Sequence, residues 1–262
     1  MLAVISLILF HAFLFCNDRG WVEDPNANNR ALIVGVSHGL DGLDYDIANV
    51  KAMVEHAAYQ FHSSILEEGK ATVSGISNAL ETESKSVGAN STLLFYFTGH
   101  GNVGIIWPQD KTMSVEKIRD AIIAGRKGLD PIERLVLVYD SCNSGSLLDP
   151  MRLLPHSFEI DQGQQNIDFS DSVVESFTSK VRGGEKYWNK LIVFASSRSN
   201  ESSIATAKGS MFTLAMNRAF KESLNDNQTF GQFISLTQKY TEGHHPVARL
   251  VPASLSDELM VP

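Results

Sequence analysis

Apolar residues fall along this chain in short runs parted by polar punctuation, and two periodicities alternate. ALIVGV at 31–36 is a branched run bounded by Ser-His-Gly, the mark of a strand buried on both faces. Residues 46–61 then place Ile47, Val50, Met53, Val54, Ala57 and Ala58 at helical spacing, with Asp44 or Asp46 available to cap the start. A weak strand is predicted in SSILEE at 63–68, and a second amphipathic helix at 71–86 carries Val73, Ile76 and Leu80 along one side. STLLFYF at 91–97, RLVLVY at 134–139 and KLIVFA at 190–195 read as three further buried strands. A helix starting near Ser114 separates the first two, and two helices at 211–224 and 230–240 follow the last. Strands alternating with helices predict an α/β fold, a mainly parallel sheet with helices on both faces and right-handed crossovers.

Such a sheet gathers its chemistry at the carboxyl ends of its strands. The polar residues of interest directly follow strands here: Ser37 and His38, then His100, then Asp140 and Cys142, then Ser196 and Ser197. Two short motifs mislead. Gly99, Gly101 and Gly104 spell a dinucleotide fingerprint, but the chain continues IIWPQDKT, where Pro108 prevents the helix that would hold the pyrophosphate. Gly35, Ser37 and Gly39 fit a hydrolase nucleophile elbow, but that elbow needs several strands laid down before it, and this match follows the first.

A histidine reading explains more. His100 sits past a strand end between glycines that let the backbone turn sharply, and Cys142 sits past the end of another strand among small turn-forming residues. A thiol nucleophile needs a nearby imidazole to manage protons and backbone amides to hold an oxyanion. Taken singly, each residue reads as buried structural material, a core histidine or an inert thiol. The pair at two strand ends does not.

Composition narrows the partners. The 262 residues are 43% hydrophobic, enough for one large core, and 30 acidic against 22 basic residues give a net charge of -8. No Lys/Arg cluster is interleaved with aromatics, which excludes nucleic acid as a partner. Residues 1–16 form an uncharged apolar run ending at Cys16, shorter than the roughly 20 residues that span a bilayer. The run reads as an export leader, with a retained membrane or lipid anchor as its alternative, and 17–29 as a linker. The expected location is therefore secreted, periplasmic or membrane-anchored. With Cys16 removed or lipidated, the domain from residue 30 to 262 keeps one thiol, Cys142, and no disulfide framework.

At this point YFTGHGNVGI with VYDSCNSGS resembles the caspase-fold cysteine peptidases, the group of caspases, metacaspases and legumains. The resemblance runs from about 31 to 219, since LIVGV with DYDIANVKAM is similar to the first strand and helix of caspases, and FASSRSNESS to the strand bordering their substrate groove. It implies a Cys-His dyad that cleaves peptide bonds in peptide or protein substrates. Cys142 would be the nucleophile and His100 the proton donor to the leaving amine, with the amides of Gly101 and Cys142 as oxyanion donors. No metal or organic cofactor would join the chemistry, although calcium switches on some metacaspases. Oligomeric state stays open.

For specificity, alternation of side chains turns Asp140 and Cys142 the same way, so a carboxylate near the nucleophile would select Arg or Lys before the scissile bond. The resemblance to metacaspases places an aspartate of this motif in the substrate pocket, with a second acid from the first helix region. Asp44 and Asp46 are candidates for it, while alignment to the family pattern puts Asn49 there. Leu40 stands where caspases carry an arginine for aspartate. Legumain-like cleavage after Asn is an alternative, and Ser196 and Ser197 would edge the groove. The polar stretch 151–189 offers Lys180, Arg182 and Lys186 for self-cleavage. A catalytically silent binding module and a serine hydrolase using Ser37 are the other readings. DGLDYD at 41–46 reads as a helix cap before a calcium loop, and His244 and His245 as exposed.

Overall fold

The computed structural model describes residues 28–56, 59–102, 104–144, 177, 185–226, 228–258 and 260. The leader at 1–16, nearly all of the linker, and Lys180 and Arg182 lie outside the described residues. Lys186 is exposed.

The centre is a six-stranded sheet in the order β11-β8-β7-β3-β1-β2. Its strands are β1 (Arg30–Val36), β2 (His62–Glu67), β3 (Thr92–Gly99), β7 (Ile132–Asp140), β8 (Trp188–Ala195) and β11 (Val247–Val251). The first five pair in parallel and β11 pairs antiparallel with β8. The weak strand expected at 63–68 is therefore real, at the sheet edge. β11 was not predicted: every residue of VARLV is half-buried, so neither alternation nor a solid apolar run marks it.

Each central strand sorts its side chains by parity. Leu32, Val34, Leu93, Phe95, Leu135, Leu137, Tyr139, Leu191 and Val193 enter one core with α2 (Val73–Ser86) and α3 (Val115–Arg126). Ala31, Ile33, Tyr96, Val138 and Phe194 enter the other, with α1 (Leu43–Val54), α4 (Met211–Asp226) and α5 (Phe230–Tyr240). This is why the strands read as unbroken apolar runs: both faces are covered. Burial of a Phe95-sized side chain contributes about 2 kcal/mol before the ordering cost.

Local chemistry marks several boundaries. Thr72 caps α2 by accepting the Gly75 amide at 3.0 Å, and Thr229 with Gln232 forms a capping box on α5. α1 starts without an acidic cap. Its N-cap is Gly42, at φ 79°, and Asp44 and Asp46 lie in the first turn, where the helix dipole favours them. The helix ends at Val54, short of the expected 61, and Ala57 and Ala58 lie outside the described residues.

Candidate active site

β3 and β7 pair in parallel from Thr92 opposite Arg134 to Thr98 opposite Asp140. His100 and Cys142 each come two residues after that last pair, so both leave the sheet at the same level on adjacent strands. The two turns touch. A Cβ at Gly101 would sit 2.5 Å from Ser141 Oγ and 3.2 Å from the Cys142 carbonyl oxygen, so only glycine permits this approach. Asn143 Nδ2 also donates to Asn102 Oδ1 at 3.4 Å.

The His100 ring stacks on His38, with centroids 6.4 Å apart, and tilts against Trp107 at 6.0 Å. Cys142 is a free, half-buried thiol whose Sγ faces the Ser203 carbonyl at 3.9 Å. Asn143 takes the left-handed conformation, φ 55°, and its amide donates to the Glu201 carbonyl at 2.8 Å, which holds the turn beside 201–203.

The competing motifs lose their structural context. After Gly104 the chain enters β5 (Ile105–Ile106), hydrogen-bonded to β4 (Gly101–Asn102) and β6 (Met113–Ser114), rather than a helix that would bind phosphate. Ser37 follows the first strand and its amide donates to Glu68 Oε1 at 3.0 Å.

Ser196 and Ser197 do not edge a groove. Both are completely buried. Ser196 Oγ accepts from the Ser141 amide at 3.1 Å, both hydroxyls donate to the Ser141 carbonyl, at 3.1 and 3.2 Å, and both reach Ser144 Oγ. Their place is beneath the cysteine turn, and the reason is polar satisfaction: a tight buried turn needs partners for its amide and carbonyl.

Among the candidate acids the fold buries Asp46. It is 2% exposed, accepts from the Ser210 amide at 2.8 Å and from Thr98 Oγ1 at 3.2 Å, and lies beside Asp140. Asp44 is exposed, and Asn49 is held by Asn217 at 2.7 Å. Asp140, 3% exposed, accepts from Ser203 at 3.1 Å, Thr213 at 2.8 Å, Ser210 and, at 3.4 Å, Tyr96. Sequence reasoning missed this ring of hydroxyls. Thr98 and Tyr96 share a strand face with each other, but Ser203, on the loop after β8, Ser210, in β10 (Gly209–Ser210, paired with β9, Ala205–Thr206), and Thr213, in α4, come from segments distant in the chain. No Lys or Arg pairs with either acid among the described residues.

The two histidines near the end part company. His245 is exposed and binds Glu201 at 2.7 Å, as expected of a surface residue. His244, also expected at the surface, is 3% exposed and lies near Asp140. Gly243, at φ 81°, makes this burial possible by letting the loop fold onto Ile204. Among the described residues no three His, Cys, Asp or Glu side chains converge as a metal-holding group.

Burial, and then the charge of Asp140, push the Asp46 carboxyl up to about 8. Burial likewise raises Asp140, against the hydroxyls of Ser210, Thr213 and Ser203. A carboxyl raised on folding contributes stability that is complete at acid pH below its unfolded value and is lost as pH rises through about 8. Asp46→Asn removes that loss. In thermal melts from pH 5 to 9, the variant gains on the wild type as pH rises, by on the order of 3 kcal/mol at the alkaline end. Parallel melting curves for the two proteins across that range would contradict a buried acid pair.

These features recur in known proteins. A family model described as the caspase domain matches residues 28–247. Metacaspase-1 of Scheffersomyces stipitis is 25% identical over 185 residues, 60% of this chain and 46% of that protein, so the chain spans about half the length of this curated relative. The fold superposes on caspase-1 from Spodoptera frugiperda with a TM-score of 0.56 at 11% identity, covering 85% of this chain and 86% of that one. A structural-genomics protein from Geobacter sulfurreducens gives 0.60 at 15% identity, covering 85% and 93%. With the model matching most of the domain, and with paired strand ends that present a histidine and a thiol, the chain belongs to the caspase-domain family of cysteine peptidases.

Proposed function

We propose that this protein is a cysteine endopeptidase that cuts after Arg or Lys by a Cys142-His100 dyad. The observation that carries the specificity is the buried Asp46–Asp140 pair, two carboxylates without a Lys or Arg partner among the described residues, reached through Ser203 from the cysteine turn. Buried carboxylates of like charge resist ionising together, so below about pH 8 the pair does not carry its full double charge. One guanidinium or ammonium is its complement. Both acids are closed off in this conformation, and on this reading an entering basic side chain displaces Ser203, whose hydroxyl bonds Asp140.

In the reaction, His100 takes the Cys142 proton and the sulfur attacks the substrate carbonyl carbon. The amides of Gly101 and Cys142 donate to the oxyanion. As the tetrahedral adduct collapses, the C–N bond breaks and His100 returns the proton to the leaving amine, which leaves a thioester. His100 then takes a proton from water, the hydroxide adds to the thioester, and the acid departs as the thiol is restored. Glycines and small turn residues at both strand ends support this reading, because they admit an extended substrate backbone close to both groups.

A panel of fluorogenic peptides with Arg, Lys, Asn or Asp before the scissile bond tests the proposal. The expected result is turnover of the Arg and Lys peptides with kcat/KM about 100-fold or more above the others. Preference for Asn would favour the legumain-like reading, and preference for Asp would overturn the pocket.

A further inference from the structure

His244 holds an unusual position. It is 3% exposed, and neither ring nitrogen completes a hydrogen bond of ordinary geometry, although the Glu242 backbone lies close. A buried imidazole without partners costs stability. The charged groups near enough to influence it are Asp140 on β7, with Asp46 of α1 beside that acid, Glu201 on the loop after β8, and His245 on its own loop. Burial holds the ring's proton affinity below the ordinary histidine value, against the pull of Asp140 and Glu201. At neutral pH it is therefore an uncharged ring with one nitrogen able to accept.

We propose that His244 is a specificity-determining residue, the third wall of the acid pocket, whose neutral imidazole accepts a hydrogen bond from the guanidinium of a substrate arginine held by Asp140 and Asp46. This rests on the reading that the pocket takes a basic side chain. Two carboxylates alone satisfy part of the guanidinium, which has five N–H donors in a planar fork. The imidazole supplies a further acceptor at the edge of the pair. An ammonium is compact and needs fewer directions filled, so lysine depends on His244 less. The same geometry gives the site an acid limit. A protonated His244 has no free lone pair, and its positive charge offsets the charge of Asp140 that the substrate would use.

The test uses the full chain and fluorogenic peptides ending in Arg or Lys, with kcat and KM measured separately from pH 5 to 8. His244→Leu removes the acceptor: KM for the Arg peptide rises about tenfold at neutral pH, the Lys peptide changes several-fold less, and kcat holds. His244→Gln keeps an acceptor that cannot titrate, so it retains an Arg KM near the wild-type value and loses the rise in KM that the wild type shows on the acid side. Wild-type Arg KM in the Leu variant, or a wild-type acid limb in the Gln variant, overturns the assignment while leaving the basic preference standing. Where one variant fails to fold, the other decides on the KM outcome given for it. If the wild type turns over neither basic peptide, the reading of the pocket falls, and this assignment with it.

Discussion

Cys142→Ala lowers hydrolysis of every peptide substrate by about 10⁴-fold or more, without loss of folding. Among the described residues the serines nearby are not placed to form the acyl intermediate: Ser141 is buried under the turn and Ser37 belongs to a different strand end. The thiol is half-buried and its neighbours are small, so removal of sulfur leaves a shallow gap rather than a core cavity, and the melting temperature stays within a few degrees. The proposed dyad, acting as a unit, gives His100→Ala a loss of similar size and makes the double variant scarcely worse than either single one. The measurement is kcat/KM on the Arg peptide beside thermal melts of all four proteins. Unchanged turnover in Cys142→Ala would move the nucleophile elsewhere, with Ser37→Ala as the next variant. Absence of turnover in the wild type itself would class the protein as a silent binding module.

Asp140→Asn costs about 100-fold or more in kcat/KM on Arg and Lys peptides, most of it in KM, and leaves the Asn peptide nearly untouched. The charge is what matters. Asparagine keeps the volume and one acceptor, and the surrounding hydroxyls of Ser203, Ser210 and Thr213 can turn to meet its amide, so the turn carrying Cys142 keeps its shape. What is lost is attraction for a cation in a site shielded from water, which is strong because little solvent screens it. An Asp140→Asn enzyme that cuts after Arg with an unchanged KM would show that the acid pair serves the fold and not the substrate. Loss of activity on all four peptides alike would point to damage at the cysteine turn instead.

Much of this architecture was legible in the chain itself. Strands wholly buried on both faces leave unbroken apolar runs, and four of the five parallel strands were plain on that ground. The fifth, β2, showed only weakly, because an edge strand is half-solvated. β11 is fainter still, since its backbone pairs with a strand more than fifty residues upstream, and that partner, not its own pattern, makes it a strand. The position of His100 and Cys142 past strand ends followed from run lengths and turn residues. That Asp140 shares a face with Tyr96 and Thr98 needed the register of β3 on β7 as well, which only the structure supplies.

The choice among Asp44, Asp46 and Asn49 was different. Successive helix positions turn by about 100°, so three polar residues in the first two turns point in three directions. Which of them meets the sheet depends on how α1 lies against β1 and α4, a matter of long-range packing. Ser196 and Ser197 looked like groove residues because they follow a strand end, yet the cysteine turn needed hydroxyls beneath it. His244 looked like surface because its neighbours are polar, and one glycine folded it inward.

The sequence alone therefore determined the elements, their order and the two strand ends where a thiol and an imidazole come out, because local periodicity and turn chemistry act within a few residues. Only the tertiary structure decided which acid joins Asp140, which serines buttress the turn and which histidine is buried near Asp140. Those outcomes depend on burial and electrostatics between segments far apart in the chain, where no local pattern carries the information.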